Sequence, residues 1–251
     1  PQSGGARKLI ADGQLGKILK VEQVRNGYSP YWMSYGGAAF FDEKPTEADI
    51  DWKAFLGDRE SRPFDPAQYQ GWYGFRDFSR GPHTNLMVHY IDQVHYVTSA
   101  SIPRRVVAMG GTYRWKNQFD APDSVEVVLE YPEDFLVRYC TVFGTGAGNY
   151  AKWFGSRGTL DAKSFSPTQT WTVSGQGTGD PDRVKADFDV TPVASVHHMQ
   201  NFLDSVRTRK PPIAPIEAGY AHSVAVIMAD EALTTGRRMI YDPARREVKP
   251  G

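Results

Sequence analysis

Apolar and polar positions follow several rhythms along this chain. From Lys17 to Arg25 the period is two, with Ile18, Lys20 and Glu22 set against Leu19, Val21 and Gln23, which predicts a strand with one wet face. Strands of the same kind are predicted over Arg105–Tyr113, Ser124–Tyr131, Phe135–Phe143 and Ala151–Phe154 with Thr159–Leu160. Tyr131-Pro132-Glu133-Asp134-Phe135 has the proline of a hairpin turn between the second and third of these. Helical spacing predicts a short helix over Ala6–Gly16 and another around Trp52–Leu56. Longer helices are predicted over Pro82–Thr98, from an N-cap at Ser195 through Val196, Met199, Phe202, Leu203 and Val206, and over Ala218–Thr235 before Gly236. Strands in one central run with helices toward the ends predict an α+β fold.

Between Tyr28 and Arg80 periodicity largely disappears into Gly, Pro, Tyr, Trp and Phe, the composition of a long functional loop packed by its own aromatics. The strands Ser124–Tyr131 and Phe135–Phe143 carry apolar side chains at both odd and even positions, so both faces are expected to be covered. Helices Val196–Arg207 and Ala218–Thr235 supply one cover. A second copy of the chain is the expected cover for the other.

Composition narrows the functions. With 29 Lys+Arg against 29 Asp+Glu in 251 residues the formal charge is zero, which argues against a nucleic-acid binder. The 40 % apolar, 23 % charged composition is that of a globular chain long enough for a substantial core. A single cysteine, Cys140, allows neither an intrachain disulfide nor a CxxC zinc site, and no apolar run is long enough to predict a membrane span. The opening Pro1-Gln2-Ser3-Gly4-Gly5 reads as the continuation of a longer protein.

The helix predicted over Pro82–Thr98 carries the chemistry. At about 100° per residue, Asn85, His89, Asp92 and Tyr96 fall within about 60° of one another, and Met87, Tyr90, Val94 and Val97 cluster opposite. An amide, an imidazole, a carboxylate and a phenol in one line suit proton transfer, because the imidazole titrates near neutrality. A solvated helix face with an incidental histidine gives the same pattern. A metal site would need His83 or His95 to join His89 and Asp92, but these lie off the stripe. His197-His198 begin another helix, where packing or capping accounts for them. Gly144-Thr145-Gly146-Ala147-Gly148 has Asn149 where a dinucleotide fingerprint needs its third glycine and no amphipathic helix after it, so a hairpin loop is expected there. No nucleophile elbow is present.

Several segments in register resemble the C-terminal domain of the glucose–fructose oxidoreductase, inositol dehydrogenase and rhizopine-catabolism (Gfo/Idh/MocA) family. They are Asp51-Trp52-Lys53-Ala54-Phe55-Leu56-Gly57, Thr84-Asn85 through His89 and Asp92 to His95, and Ala121-Pro122-Asp123 with Leu129-Glu130-Tyr131-Pro132. Phe154-Gly155-Ser156-Arg157-Gly158-Thr159-Leu160, Asn201-Phe202-Leu203-Asp204, Gly236-Arg237 and Tyr241-Asp242-Pro243 complete the set. The resemblance implies an open, mostly antiparallel sheet with helices on one face, following a Rossmann domain that binds NAD or NADP. Residues 1–16 would then link from that nucleotide-binding domain, and residues 17–251 would form the substrate-binding and oligomerisation domain. It further implies a sugar, cyclitol or polyol substrate and a homodimer or homotetramer formed through the sheet.

His89 matches the family's proton-relaying histidine, with Asn85 beside it as a second catalytic position where many members have Asp. Asp92 matches the second acidic position and, with Tyr96, is expected to bind substrate. Glu43-Lys44-Pro45 copies the family's lysine motif in letters but lies in the aromatic loop rather than at the end of a Rossmann strand, so no cofactor-binding residue is assigned in this chain. A non-catalytic carbohydrate-binding or dimerisation module, and a metal-dependent lyase or hydrolase using His83, His89, Asp92 and His95, are the alternatives.

Overall fold

The computed structural model describes residues 1–29, 44–162, 169–176 and 181–251. Period-two burial builds its main layer. In β3 (Ser124–Tyr131), Val125, Val127, Leu129 and Tyr131 are buried while Glu126 and Val128 are exposed. β3 pairs with β4 (Phe135–Phe143) through the expected hairpin, where Asp134 takes a positive φ and its amide donates to the Tyr131 carbonyl at 3.1 Å. With β1 (Ile18–Gly27), β2 (Arg105–Gly111), β5 (Tyr150–Gly155), β6 (Gly158–Ala162), β7 (Thr172–Gly175), β8 (Phe188–Asp189), β9 (Met239–Asp242) and β10 (Glu247–Pro250), they form one sheet. Its order is β10-β9-β2-β3-β4-β1-β5-β6-β7-β8.

All neighbours are antiparallel except β1 and β4, which run parallel with Val24 opposite Cys140. The first strand therefore lies inside the sheet, flanked by β4 and β5. This changes the reading of Gly144–Gly148. The segment is not a hairpin loop, because β1 separates the two strands it joins. It crosses the end of β1, with the Gly144 amide on the Gly27 carbonyl at 2.7 Å.

The inner face of the sheet is apolar and carries three helices, α1 (Gln2–Ala11), α5 (Met87–Thr98) and α7 (Ile216–Thr235). Between β1 and α5 come α2 (Trp52–Leu56), α3 (Pro66–Gln70) and α4 (Pro82–Asn85) in chain order, and α6 (His198–Thr208) precedes α7. α5 lies between α1 and α7 and buries Met87, Tyr90, Ile91, Val94 and Val97. Buried Gln23 of β1 donates from Nε2 to the Tyr90 carbonyl at 2.8 Å, tying helix to sheet. α1 comes close to the chain after β8: a Cβ on Gly5 would sit 2.2 Å from the Thr191 carbonyl oxygen, so no side chain fits there.

One expectation about coverage fails. α6 does not cover the sheet. None of its residues is buried, and Val196, Met199, Phe202, Leu203 and Val206 face solvent, because α1, α5 and α7 already occupy the inner face. The outer face is of mixed character, with Leu19, Val107, Met109, Val128 and Leu136 exposed among ion pairs such as Arg138–Glu126 at 2.6 Å, Arg104–Glu130 at 2.7 Å and Lys152–Asp161 at 3.2 Å. The apolar letters at successive positions come from this mixing, since burial alternates cleanly in β3 and, apart from Cys140, in β4.

The expected helix over Pro82–Thr98 is broken into α4 and α5 at Leu86. The cause is local. The Thr84 hydroxyl and the Asn85 side chain both donate back to the Gly81 carbonyl, at 2.8 and 3.0 Å, and draw the first turn away from the helix that follows. The described part of the aromatic loop packs on itself as expected. Trp52 stacks on Phe55 at 5.3 Å, and Phe55 meets Tyr69 and Phe78 at 5.1 and 5.0 Å. Asp51 and Asp65 cap α2 and α3. Buried Asp123 accepts from the amides of Tyr113, Arg114 and Trp115 and from the Ser124 hydroxyl, fixing the loop between β2 and β3. No helix among the described residues is long and apolar enough to cross a membrane.

Candidate active site

Because α5 buries its apolar side on the sheet, its other side must face outward. His89 and Asp92 are exposed there, and Asn85 and Tyr96 are half-buried at the two ends. The four residues picked from helical spacing thus share one face even though Leu86 interrupts the helix. No described residue hydrogen-bonds the His89 ring. Tyr96 is flanked by α1, with the Arg7 guanidinium 5.0 Å from its ring centre. Asp92 leans to the other side, where its Oδ1 lies 3.2 Å from Nδ1 of His222 on α7.

Asn85 is the most constrained of the four. Its Nδ2 donates to Ser79 Oγ at 2.7 Å and to the Gly81 carbonyl at 3.0 Å, with Thr84 Oγ1 at 3.3 Å. A carbonyl only accepts, so the atom facing Gly81 has to be the NH2 group. The amide is thereby fixed with its oxygen away from these partners, and no described donor reaches that oxygen.

The loop supplying Ser79 and Gly81 is held by a second cluster. The Asp230 carboxylate of α7 takes Arg80 Nε at 2.8 Å on one oxygen and lies 3.0 Å from Nε2 of fully buried His83 on the other. Burial pushes the Asp230 carboxyl upward. The hydrogen bonds and charges of His83 and Arg80 outweigh it and hold the group below the ordinary carboxylate range. Sequence reasoning missed Ser79, Arg80, Asp230 and His222, and no local spacing points to them.

The structure takes the other histidines elsewhere. His95 turns inward, with Nε2 2.9 Å from the Tyr131 hydroxyl, and burial lowers its pKa to about 4, helped by repulsion from His222 and opposed by Glu133. His83 is committed to Asp230, so neither joins His89 and Asp92. Among the described residues no group of three or more His, Cys, Asp or Glu is arranged to hold a metal. His197 and His198 are exposed, and His197 occupies the N-cap of α6 without a side-chain cap. Burial first, then Glu126, pushes the Cys140 thiol up to about 12, far from a reactive thiolate. Glu43 of Glu43-Lys44-Pro45 lies outside the described residues. The segment 144–149 leads into β5 rather than a helix, so it does not build a dinucleotide cradle.

Comparison with known proteins agrees with this architecture. The profile described as oxidoreductase family, C-terminal alpha/beta domain (GFO_IDH_MocA_C), matches residues 54–240. An aldose-aldose oxidoreductase from Caulobacter crescentus, solved with glycerol, superposes with a TM-score of 0.65 at 17 % identity, over 95 % of this chain and 60 % of its own. A protein named as a myo-inositol dehydrogenase from Sinorhizobium meliloti 1021 superposes with a TM-score of 0.57 at 16 % identity, over 96 % and 62 %. An NAD-binding protein from Listeria innocua does so with 0.59 at 12 % identity, over 95 % and 60 %. The chain spans about three fifths of the length of these structures. No curated protein matches it.

The geometry gives two expected outcomes. Asn85→Asp places an oxygen against the Gly81 carbonyl, which cannot donate, although the Ser79 and Thr84 hydroxyls can turn to do so. Urea unfolding should show a loss of about 1–2 kcal/mol at pH 7 that shrinks as the pH falls and the new carboxyl protonates. Unchanged stability at both pH values would mean that the amide is not held by Gly81.

His95 is depressed in the folded state, so acid protonates the unfolded chain first. Its contribution is present above the ordinary imidazole value and is lost as pH falls toward about 4. Between pH 7 and pH 5 this costs on the order of 2 kcal/mol, and His95→Gln should lack that part of the slope.

Proposed function

This chain belongs to the oxidoreductase family as its C-terminal alpha/beta domain, and we propose that it is the substrate domain of an enzyme that oxidises or reduces a secondary alcohol of a sugar, cyclitol or related polyol with NAD or NADP. The open face of α5 carries this reading: an imidazole with no competing partner, between a fixed amide oxygen and a carboxylate. The names of relatives that share the fold, an aldose-aldose oxidoreductase, a myo-inositol dehydrogenase and an NAD-binding protein, support the substrate class and the nicotinamide.

Oxidising a secondary alcohol removes a hydride from carbon and a proton from oxygen. The described residues form no dinucleotide cradle, so we assign to this domain the proton and the orientation of the substrate. The nicotinamide belongs to a nucleotide-binding domain outside these residues, with residues 1–16 as the connection and residues 17–251 as the substrate and oligomerisation domain. His89 takes the hydroxyl proton on an imidazole nitrogen, and Asn85 Oδ1 accepts a hydrogen bond from a substrate hydroxyl. Asp92 and Tyr96 bind neighbouring hydroxyls. An amide cannot titrate, so the acid–base work rests on the imidazole.

In the enzyme carrying its nicotinamide domain, His89→Ala should lower kcat by roughly 10²- to 10⁴-fold toward the polyol that it turns over. Turnover within about threefold of the parent would remove His89 from the mechanism.

The same reading makes the outer face of the sheet the contact between copies. Its exposed Val107, Met109, Val128 and Leu136, with ion pairs among them, suit a self-complementary two-fold contact. Light scattering should give a dimer or tetramer, and Met109→Glu should shift it toward monomer. A parent monomer at micromolar concentration would refute this contact.

A further inference from the structure

The site contains a second imidazole that sequence spacing does not point to. His222 lies on α7, about 130 residues from Asp92 in sequence, yet its Nδ1 is 3.2 Å from Asp92 Oδ1. The two side chains bridge the gap between α5 and α7, with His222 largely buried and Asp92 half-exposed. A carboxylate only accepts, so a neutral His222 must carry its proton on Nδ1 and leave Nε2 as a lone-pair acceptor. No described residue bonds that Nε2, and it is not among the buried polar atoms left without partners, so it meets solvent.

We propose that Asp92 is a positioning residue for His222, whose Nε2 forms, with Asn85 Oδ1, a pair of fixed hydrogen-bond acceptors on either side of His89 that recognise the hydroxyls of a neutral polyhydroxy compound.

The inference rests on the proposed function and sharpens it. Asn85 Oδ1 at one end of the open face and His222 Nε2 beside Asp92 both accept, and each is held by partners on its other side. Two held acceptors reward a ligand with several hydroxyl donors. A carboxylate, or a phosphate monoester above its second pKa, has no proton to offer them and meets the Asp92 charge as well. The cations nearby are otherwise engaged, Arg80 with Asp230 and Arg7 over Tyr96. Asp92 keeps its second oxygen for the ligand while the first holds His222.

The test is long-range proton–nitrogen NMR of the imidazoles in this 251-residue chain, with His222 assigned by His222→Gln. At about pH 9, where imidazoles are neutral, His222 should show the Nδ1–H tautomer. Asp92→Ala should return it to the ordinary mixture, in which Nε2–H predominates, and Asp92→Asn should restore Nδ1–H through its amide oxygen. Titration with myo-inositol, carried to its solubility limit, should move the His222 Nε2 resonance in the parent and much less in Asp92→Ala. Glucuronate should move it less than myo-inositol does. An Nε2–H tautomer in the parent, a tautomer indifferent to Asp92, or an inositol titration that leaves the resonance in place would each overturn the proposal. The His89 resonance and the His89→Ala turnover report separately on the broader reading. Inositol shifts at His222 with full activity in His89→Ala would sink the relay and leave the acceptor pair standing.

Discussion

A helix that buries one side has no freedom to choose what it shows on the other. Met87, Tyr90, Ile91, Val94 and Val97 press α5 onto the inner face of the sheet and fix its rotation, with the Gln23 side chain locking its height from below. His89 and Asp92 face outward because those five residues face inward. The site is thus a by-product of core packing, and a core is a stiff support: a rotation large enough to hide the imidazole would expose several apolar side chains at ~1.5–3 kcal/mol each.

The supports around that face are polar and come from far away in sequence. The loop through Ser79, Arg80 and Gly81 orients the amide of Asn85, and the loop is itself held to α7 by Asp230 and buried His83. α7 returns to the site one end earlier through His222. One long helix therefore braces the polar line near Asn85, through Asp230, and at Asp92, through His222, while α1 flanks Tyr96 with Arg7.

How much of this was legible follows from the range of each interaction. His89, Asp92 and Tyr96 lie on α5 and Asn85 on the short helix just before it, so a period near 3.6 finds all four even across the break at Leu86. β1 was legible from its period of two, and β3 and β4 from their apolar runs on either side of the Pro132 turn. β8, β9 and β10 are two to four residues long and give periodicity nothing to act on. Ser79, Asp230 and His222 enter the site only through the fold, and no local pattern marks them. The amphipathic stripe of α6 was read correctly as a stripe, yet a stripe does not name the surface that it will meet, and three other helices already held the sheet. The glycines at 144–148 look the same in letters whether they join neighbouring strands or cross over a third; only the strand order decides.

That strand order has a consequence for how the chain is made. β1 leaves the ribosome first but pairs with β4, whose residues follow about 115 positions later. At ~5–20 residues per second, a nascent β1 waits roughly 6 to 23 s before its neighbour exists. During that interval its edges are unpaired and open to any other strand. Lys20, Glu22 and Arg25, spaced through the apolar residues of β1, put charge of both signs along that waiting segment, the composition that discourages an exposed strand from joining its counterpart on a neighbouring polysome.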